Sequence, residues 1–342
     1  MGAELTVLPS AQADLAAFKV GDKVTLLLTT TGQVAGAVSP DVAKSNAVGV
    51  AEVKGTTATI KLLDGILTLE GKTTYSEAAA AKLNGCLVTV SSYKRDYLTL
   101  SKVNGKGAST ALNLTTNRMG TKELSAGARF FEQVSNGRLV EIDRSDITIT
   151  SIPANKITYV GYDWAGRVDK LVLNDVTGDC YDYGMIYYRA AGYEESKDDG
   201  SEGSYQNGEI RVTNGSHTDG VSYVVGSVDG AKTNRMGGVA GSLDQLDGKN
   251  RMAAFMPLNE ATGIRRAQFD TDAMLLTTNS MVIPISDKVE CYNKTTGDWF
   301  KPGEDGDHKA ALNLALAFSD DITVYYDRSP EEGGKVRIVV VE

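Results

Sequence analysis

The chain has 342 residues, 42% of them hydrophobic and 23% charged, the proportions of a folded protein rather than a disordered one. Its formal net charge of −9 argues against broad attraction to phosphate backbones, so no nucleic-acid partner is expected. Thirty-six glycines against seven prolines favour many short strands joined by tight turns.

At this length several small domains are expected rather than one core. The reading in chain order is mainly β, a series of small β-barrel or β-sandwich modules with a few short helices, in the order A-B-A-B. Module A, residues 1–110, opens on a helical turn at Asp14-Leu15-Ala16-Ala17-Phe18 and a glycine turn at Val20-Gly21-Asp22-Lys23-Val24. A first hairpin follows, from Val24-Thr25-Leu26-Leu27-Leu28 across Gly32 to Val34. Strands are then expected at 58–62, 66–69, 86–90 and 97–100. The one well-marked helix runs from Ser76 to Leu83, where serine can cap the start, alanines supply propensity, and Asn84-Gly85 can end it in the left-handed region.

Module B, residues 111–183, reads as the strand Ala128-Arg129-Phe130-Phe131-Glu132, a turn at Asn136-Gly137, the strand Leu139-Val140-Glu141-Ile142, then a second hairpin from Ile157 to Asp163, across Gly166, to Val168. Residues 279–342 have the same grammar: Lys288-Val289-Glu290-Cys291-Tyr292, a turn at Thr296-Gly297, Trp299-Phe300, an alanine-leucine stretch from Lys309 to Phe318, and a third hairpin from Ile322 to Asp327 and on through Gly334 to Val336. Repetition of one sentence of structure is how modular scaffolds are built. Residues 184–278 are then a diverged second A, with clear strands at 209–212 and 222–225.

Smaller signals have plain readings. Thr116-Asn117-Arg118-Met119-Gly120 recurs as Thr233-Asn234-Arg235-Met236-Gly237, and turn-forming asparagine explains it better than a shared ligand loop. The stretch from Glu194 to Ser204 has no apolar anchor and reads as an exposed linker. It and the Glu304-Asp305-Gly306-Asp307-His308 cluster offer oxygen ligands, but neither spacing makes a recognised calcium loop, so no metal or cofactor is expected. Cys86, Cys180 and Cys291 stand far apart without a Cys-x-x-Cys pair and read as buried small hydrophobes, with no disulfide.

No catalytic residues are expected. The two histidines, His217 and His308, lie in polar turns, away from any nucleophile elbow or metal-binding helix motif. Carboxylate-only glycoside cleavage survives that filter, though nothing singles out a pair. Tyr181, Tyr183, Tyr187 and Tyr188 could stack sugars, or simply pack. No apolar run spans a bilayer and no secretory signal opens the sequence, which suits either a cytoplasmic chain or a region of a longer exported one.

The elements Val20-Gly21-Asp22-Lys23-Val24, Tyr162-Asp163-Trp164-Ala165-Gly166-Arg167-Val168 and Tyr326-Asp327 through Gly334-Lys335-Val336 resemble the β-rich modules of large surface proteins of Gram-positive, mostly clostridial-type bacteria, which often carry S-layer homology domains. The resemblance covers the hairpins and about half of the chain, and no S-layer homology sequence is itself visible. It implies an extracellular, non-enzymatic structural or adhesive region, with cell-wall polysaccharide or neighbouring surface domains as partners and the signal and anchor outside this sequence. A carbohydrate-binding or carbohydrate-cleaving module is the alternative.

Overall fold

The computed structural model describes residues 4–342 apart from 17, 19, 22–23, 39–46, 64, 66–67, 95, 104–107, 136, 164–166, 193, 197–201, 205–206, 227–232 and 247. It is mainly β, with small closed barrels alternating with open sheets. Packing divides the chain into two compact units, Met1–Gly105 with Tyr162–Arg167, and Lys106–Gly161 with Val168–Glu342.

In the first unit a short helix, α1 (Gln12–Ala16), precedes a hairpin of β1 (Thr25–Leu28) and β2 (Val34–Val38). Gly32 turns it at φ +78°, a conformation only glycine adopts without strain. This hairpin is a sheet of its own, outside the barrel that follows. The barrel consists of β3 (Ala47–Lys54), β4 (Thr57–Leu62), β5 (Thr68–Thr73), β6 (Leu87–Lys94) and β7 (Tyr97–Lys102), closed in the order β3-β4-β5-β7-β6. Only β5 and β7 run parallel; every other contact is antiparallel. That circuit is the Greek-key barrel of the OB-fold. Between β5 and β6 lies α2 (Glu77–Ala81), shorter than the expected helix; Ser76 stands before it without a capping bond, and Gly85 (φ +71°) ends the turns that follow. Of the strand expected at 66–69, residues 66 and 67 lie outside the described residues, as do 22 and 23 of the first glycine turn.

The second unit begins with a sheet of β8 (Leu112–Asn113), β9 (Arg118–Met119), β10 (Lys122–Gln133), β11 (Val140–Ile142), β12 (Ser151–Ile152), β13 (Ile157–Tyr162) and β14 (Val168–Asn174). Its order is β12-β8-β9-β10-β14-β13, with β11 on the later half of β10, and β10 is parallel to β14. A second barrel follows: β15 (Asp182–Arg189), then a small hairpin of β16 (Glu194–Ser196) and β17 (Glu202–Ser204), then β18 (Gly208–Thr213), β19 (Val221–Val225), β20 (Arg235–Leu246) and β21 (Lys249–Pro257). It closes as β15-β18-β19-β21-β20, again with one parallel contact, between its third and fifth strands. The two barrels therefore share a topology. Each also has a glycine in its first strand, Gly49 and Gly184, where a Cβ would collide with a backbone carbonyl of the second strand. The stretch from Glu194 to Ser204 is thus no plain linker: its ends pair as a hairpin extending the antiparallel β15–β18 connection, and 197–201 lie outside the described residues.

The last sheet contains β22 (Asn259–Ile264), β23 (Phe269–Asp270), β24 (Leu275–Thr277), β25 (Val282–Asn293), β26 (Asp298–Phe300), β27 (Ile322–Tyr326) and β28 (Val336–Val341), with α3 (His308–Phe318) packed on it. Asp307 caps α3 by accepting the Ala310 N–H at 3.2 Å. The sheet order is β22-β27-β28-β25-β24-β23, with β26 on β25. The two open sheets match in register. In the first, Leu124 faces Val168, the register shifts, and pairing resumes at Arg129 with Lys170; in the second, Ile285 faces Val336, the register shifts, and pairing resumes at Glu290 with Ile338. In both sheets four residues are looped out on the first strand, β10 or β25, and one on its parallel partner, β14 or β28.

Sheet membership places two boundaries differently from the sequence reading. β15, from Asp182, belongs to the second barrel, and the last sheet opens at β22 rather than at 279. The early strands of that sheet are short and mixed in polarity, so alternation does not mark them.

Candidate functional site

The two histidines, far apart in sequence, line one cavity of about 190 Å³ where the second barrel meets the last sheet. His217 comes from the loop after β18 and His308 opens α3. The loop is shaped by Asn214, which is buried: its amide donates to Tyr183 O at 2.8 Å and its carbonyl accepts the His217 N–H at 2.7 Å. That turn aims Gly215 N–H and Ser216 Oγ at Glu290 of β25, each donating to one carboxylate oxygen at 2.8 Å. Residue 215 must be glycine, because a Cβ there would strike Phe300 O. His308 Nδ1 lies 3.1 Å from Val289 O and 3.8 Å from Glu290 Oε1. A carbonyl can only accept, so Nδ1 carries the proton. Burial pushes the Glu290 carboxyl above its ordinary range, although Ser216, His308 and Gly215 pull the other way.

Behind the cavity Arg337 is 2% exposed. All its donors are committed: Nε and Nη2 to Asp327 at 2.9 Å, Nη1 to Asp179 at 2.7 Å and Ser286 Oγ at 3.1 Å, and Nη2 also to Thr177 O. Its guanidinium lies 4.8 Å from the Tyr183 ring centroid. Burial works against the ionised form of Asp179, but the charges of Arg337 and Lys335 outweigh it and hold this carboxyl below the usual range. Lys335 Nζ bridges Asp179 at 3.5 Å and Asp146 at 3.4 Å. Gly178, at φ +77°, passes so close that a Cβ would meet Asp327, Arg337 and Tyr183.

Residues 175–179, which join the first open sheet to the second barrel, are therefore gripped from several sides. Arg328 donates to Asp175 O at 2.9 Å, Val176 O at 3.0 Å and Asp175 Oδ1 at 2.9 Å. Glu132, wholly buried in β10, accepts the Val176 N–H, the Thr177 N–H at 2.6 Å and the Thr177 hydroxyl. Each carboxylate of the cavity wall has a donor: Asp179 has Arg337, Asp182 has the Tyr223 hydroxyl at 2.5 Å, and Glu290 has Ser216 and Gly215. The Ser216 proton goes to Glu290 rather than to a histidine, so no serine–histidine relay forms. These groups hold modules together.

Other sequence signals land elsewhere. Asn117 and Asn234 of the repeated pentapeptide both adopt positive φ, +55° and +60°, as turn-forming asparagines do, and each precedes a strand. Tyr181 and Tyr183 are buried; Tyr187 lines a groove on the barrel exterior, and Tyr188, next to it in the strand, lines the same groove but packs against the barrel core. Cys86 and Cys291 are buried and Cys180 is half-buried. Glu304–His308 divides into a turn, a helix cap and the cavity histidine; among the described residues no group of three or more His, Cys, Asp or Glu side chains is placed to share a metal ion. No helix among them is long and apolar enough to cross a membrane. Arg337, Asp327, Asp179 and Glu290 were not singled out by the sequence reading. The available signal is a lone arginine inside the apolar run Val336–Val341, since a charge in a buried strand requires a partner.

No family model, no curated protein and no solved structure matches the chain.

Proposed function

We propose that the chain is a non-enzymatic structural region of a bacterial cell-surface protein, a stiff segment that spaces or displays neighbouring domains outside the cell. The observation that carries this reading is the Arg337 junction: a buried cation in β28 whose donors go to its own hairpin and to the segment that joins two other modules. Removing one partner from a buried ion pair costs about 3–5 kcal/mol, so modules joined this way resist separation. The carboxylates of the cavity, Asp179, Asp182 and Glu290, are each held by donors from the fold, which suits a scaffold better than turnover. The partners on this reading are cell-wall polysaccharide or adjacent surface domains, as the resemblance of the hairpins implies.

Single-molecule pulling of the full chain between inert handles tests it. Residues 106–342 are expected to resist as one body and yield in one cooperative event, and the Arg337→Met variant to yield stepwise at lower force. Module-by-module extension of the unaltered chain at low force, or reproducible hydrolysis of glycosides that is lost on replacing Glu290, overturns the reading.

A further inference from the structure

A second feature lies on the outer face of the second barrel, away from the Arg337 junction. Antiparallel pairing of β15 with β18 sets Tyr187 opposite Arg211 and Arg189 opposite Glu209. Residues two apart in a strand share a face, so all four side chains project on the same side. They line a groove of about 380 Å³ together with Tyr188 and Thr233. One wall is fixed by Thr233, whose hydroxyl accepts the Tyr188 N–H at 3.1 Å and donates to Tyr188 O at 2.8 Å. The Arg211 guanidinium stacks on Tyr187, 4.9 Å from the ring centroid, which holds both groups in place.

Two further aromatic residues lie outside the groove. Tyr292 packs against Trp299 with ring centroids 4.9 Å apart and planes tilted by 52°, and both rings rest on the buried cluster that holds Tyr181 and Tyr183. Tyr187, Tyr292 and Trp299 are half-buried, so each keeps part of its surface in solvent. The groove carries two arginines in a chain of net charge −9. Arg189 and Arg211 line it, and its one acidic residue, Glu209, is paired with Lys249 at 3.0 Å. Flat apolar rings beside planar, carboxylate-matching guanidinium groups fit a ligand with both ring faces and negative charge.

The geometry points to this groove as a binding site for an acidic oligosaccharide, one bearing carboxylates on its sugar rings. Arg211 pairs with a carboxylate, and the part of the Tyr187 ring that Arg211 leaves uncovered packs on the pyranose that bears it. The site stands apart from the Arg337 junction and does not rest on the spacer reading.

The test uses the full chain and titration calorimetry with tetragalacturonic acid and, in parallel, neutral cellotetraose. Binding of the acidic probe is expected, weakened by raising salt, with at least tenfold preference over the neutral one. Tyr187→Ala and Arg211→Met are each expected to weaken it at least tenfold while far-ultraviolet dichroism and the unfolding midpoint stay within error of the unaltered chain. Arg118→Met, on β9, is the control and leaves affinity unchanged. No binding of tetragalacturonic acid at millimolar concentration, equal binding of both probes, or full retention of affinity in the Tyr187→Ala variant overturns the assignment.

Discussion

The two open sheets share the pairing of their central strands and carry opposite chemistry there. Where the register resumes after the shift, β10 has Arg129 and β25 has Glu290. Arg129 lies near the surface and forms a two-pronged pair with Glu141 at 2.7 Å, whereas Glu290 is 5% exposed and holds the loop of another module. On the parallel partner strand, the residue after the matched Val168 is Asp169 and the residue after Val336 is Arg337. The hairpin aspartates differ likewise: Asp163 is capped from within its own turn by Arg167 N and Nε, at 2.9 and 2.8 Å, while Asp327 takes Arg337 from the next strand as well as Lys335 N at 2.8 Å. A backbone register can thus be copied intact while its polar positions are reassigned from solvent to an interface. Strand pairing depends on main-chain groups and alternation, which substitution at one site does not disturb.

The contrast predicts unequal costs. Arg337→Met leaves Asp327 buried without its cation and Asp179 with Lys335 alone, at 3.5 Å, so a loss of about 3–5 kcal/mol is expected in denaturant unfolding. Arg129→Met removes a partly exposed pair and is expected to cost under about 1 kcal/mol. Comparable losses would mean that burial does not separate the two sheets.

Next in size are the hairpin aspartates. Asp327→Ala orphans the buried Lys335 N–H and Arg337 Nε and leaves the guanidinium with Asp179 as its one carboxylate, for an expected cost of about 2–4 kcal/mol. Asp163→Ala is expected to cost about 1 kcal/mol or less, because its charged donor, the Arg167 side chain, is 46% exposed. Thermal midpoints of the two variants, measured side by side, give the order.

The pH dependences should run in opposite directions. Glu290 is raised by burial in the folded chain, so its contribution is complete below the ordinary glutamate range and is lost as pH rises through the folded value. Relative to the unaltered chain, Glu290→Gln should therefore gain stability as pH is raised from 4 to 8. Glu141 is lowered, chiefly by its hydrogen bond to Arg129, so its contribution exists above the ordinary range and is lost in acid. Glu141→Gln should be slightly less stable at neutral pH, and the difference should close as pH falls. Parallel slopes for the two variants would refute the reversal.

The smallest effect concerns the position after that one, Phe130 in the first sheet and Cys291 in the last. Burial, with Glu290 nearby, pushes the Cys291 thiol well up, so little thiolate is available to react. Native-state labelling with an Ellman-type reagent should leave Cys291 unmodified over the time in which denatured chain reacts fully. Prompt labelling would show that the last sheet is not closed where the first is.

Local pattern was enough for much of this architecture. Alternation and glycine placed the first and third hairpins, alternation placed the strands of the second, whose Gly166 lies outside the described residues, Ser76 to Gly85 marked a helix, and turn-forming asparagine explained the pentapeptide, because these features depend on backbone preferences within a few residues. Even the third hairpin kept a glycine logic, with Gly333 at φ +83° and Gly334 passing too close to Arg328 O for any side chain. What local pattern could not supply was partnership between distant residues. The parallel contacts of β5 with β7, β10 with β14 and β25 with β28 join strands whose periodicity does not name a neighbour. The same holds for the site: His217 and His308 read as separate polar turns, and Arg337 as one charge in an apolar strand, until folding set them around Glu290 and Asp179. Whether a charge is solvated or buried depends on what covers it, and here the cover comes from other modules of the chain.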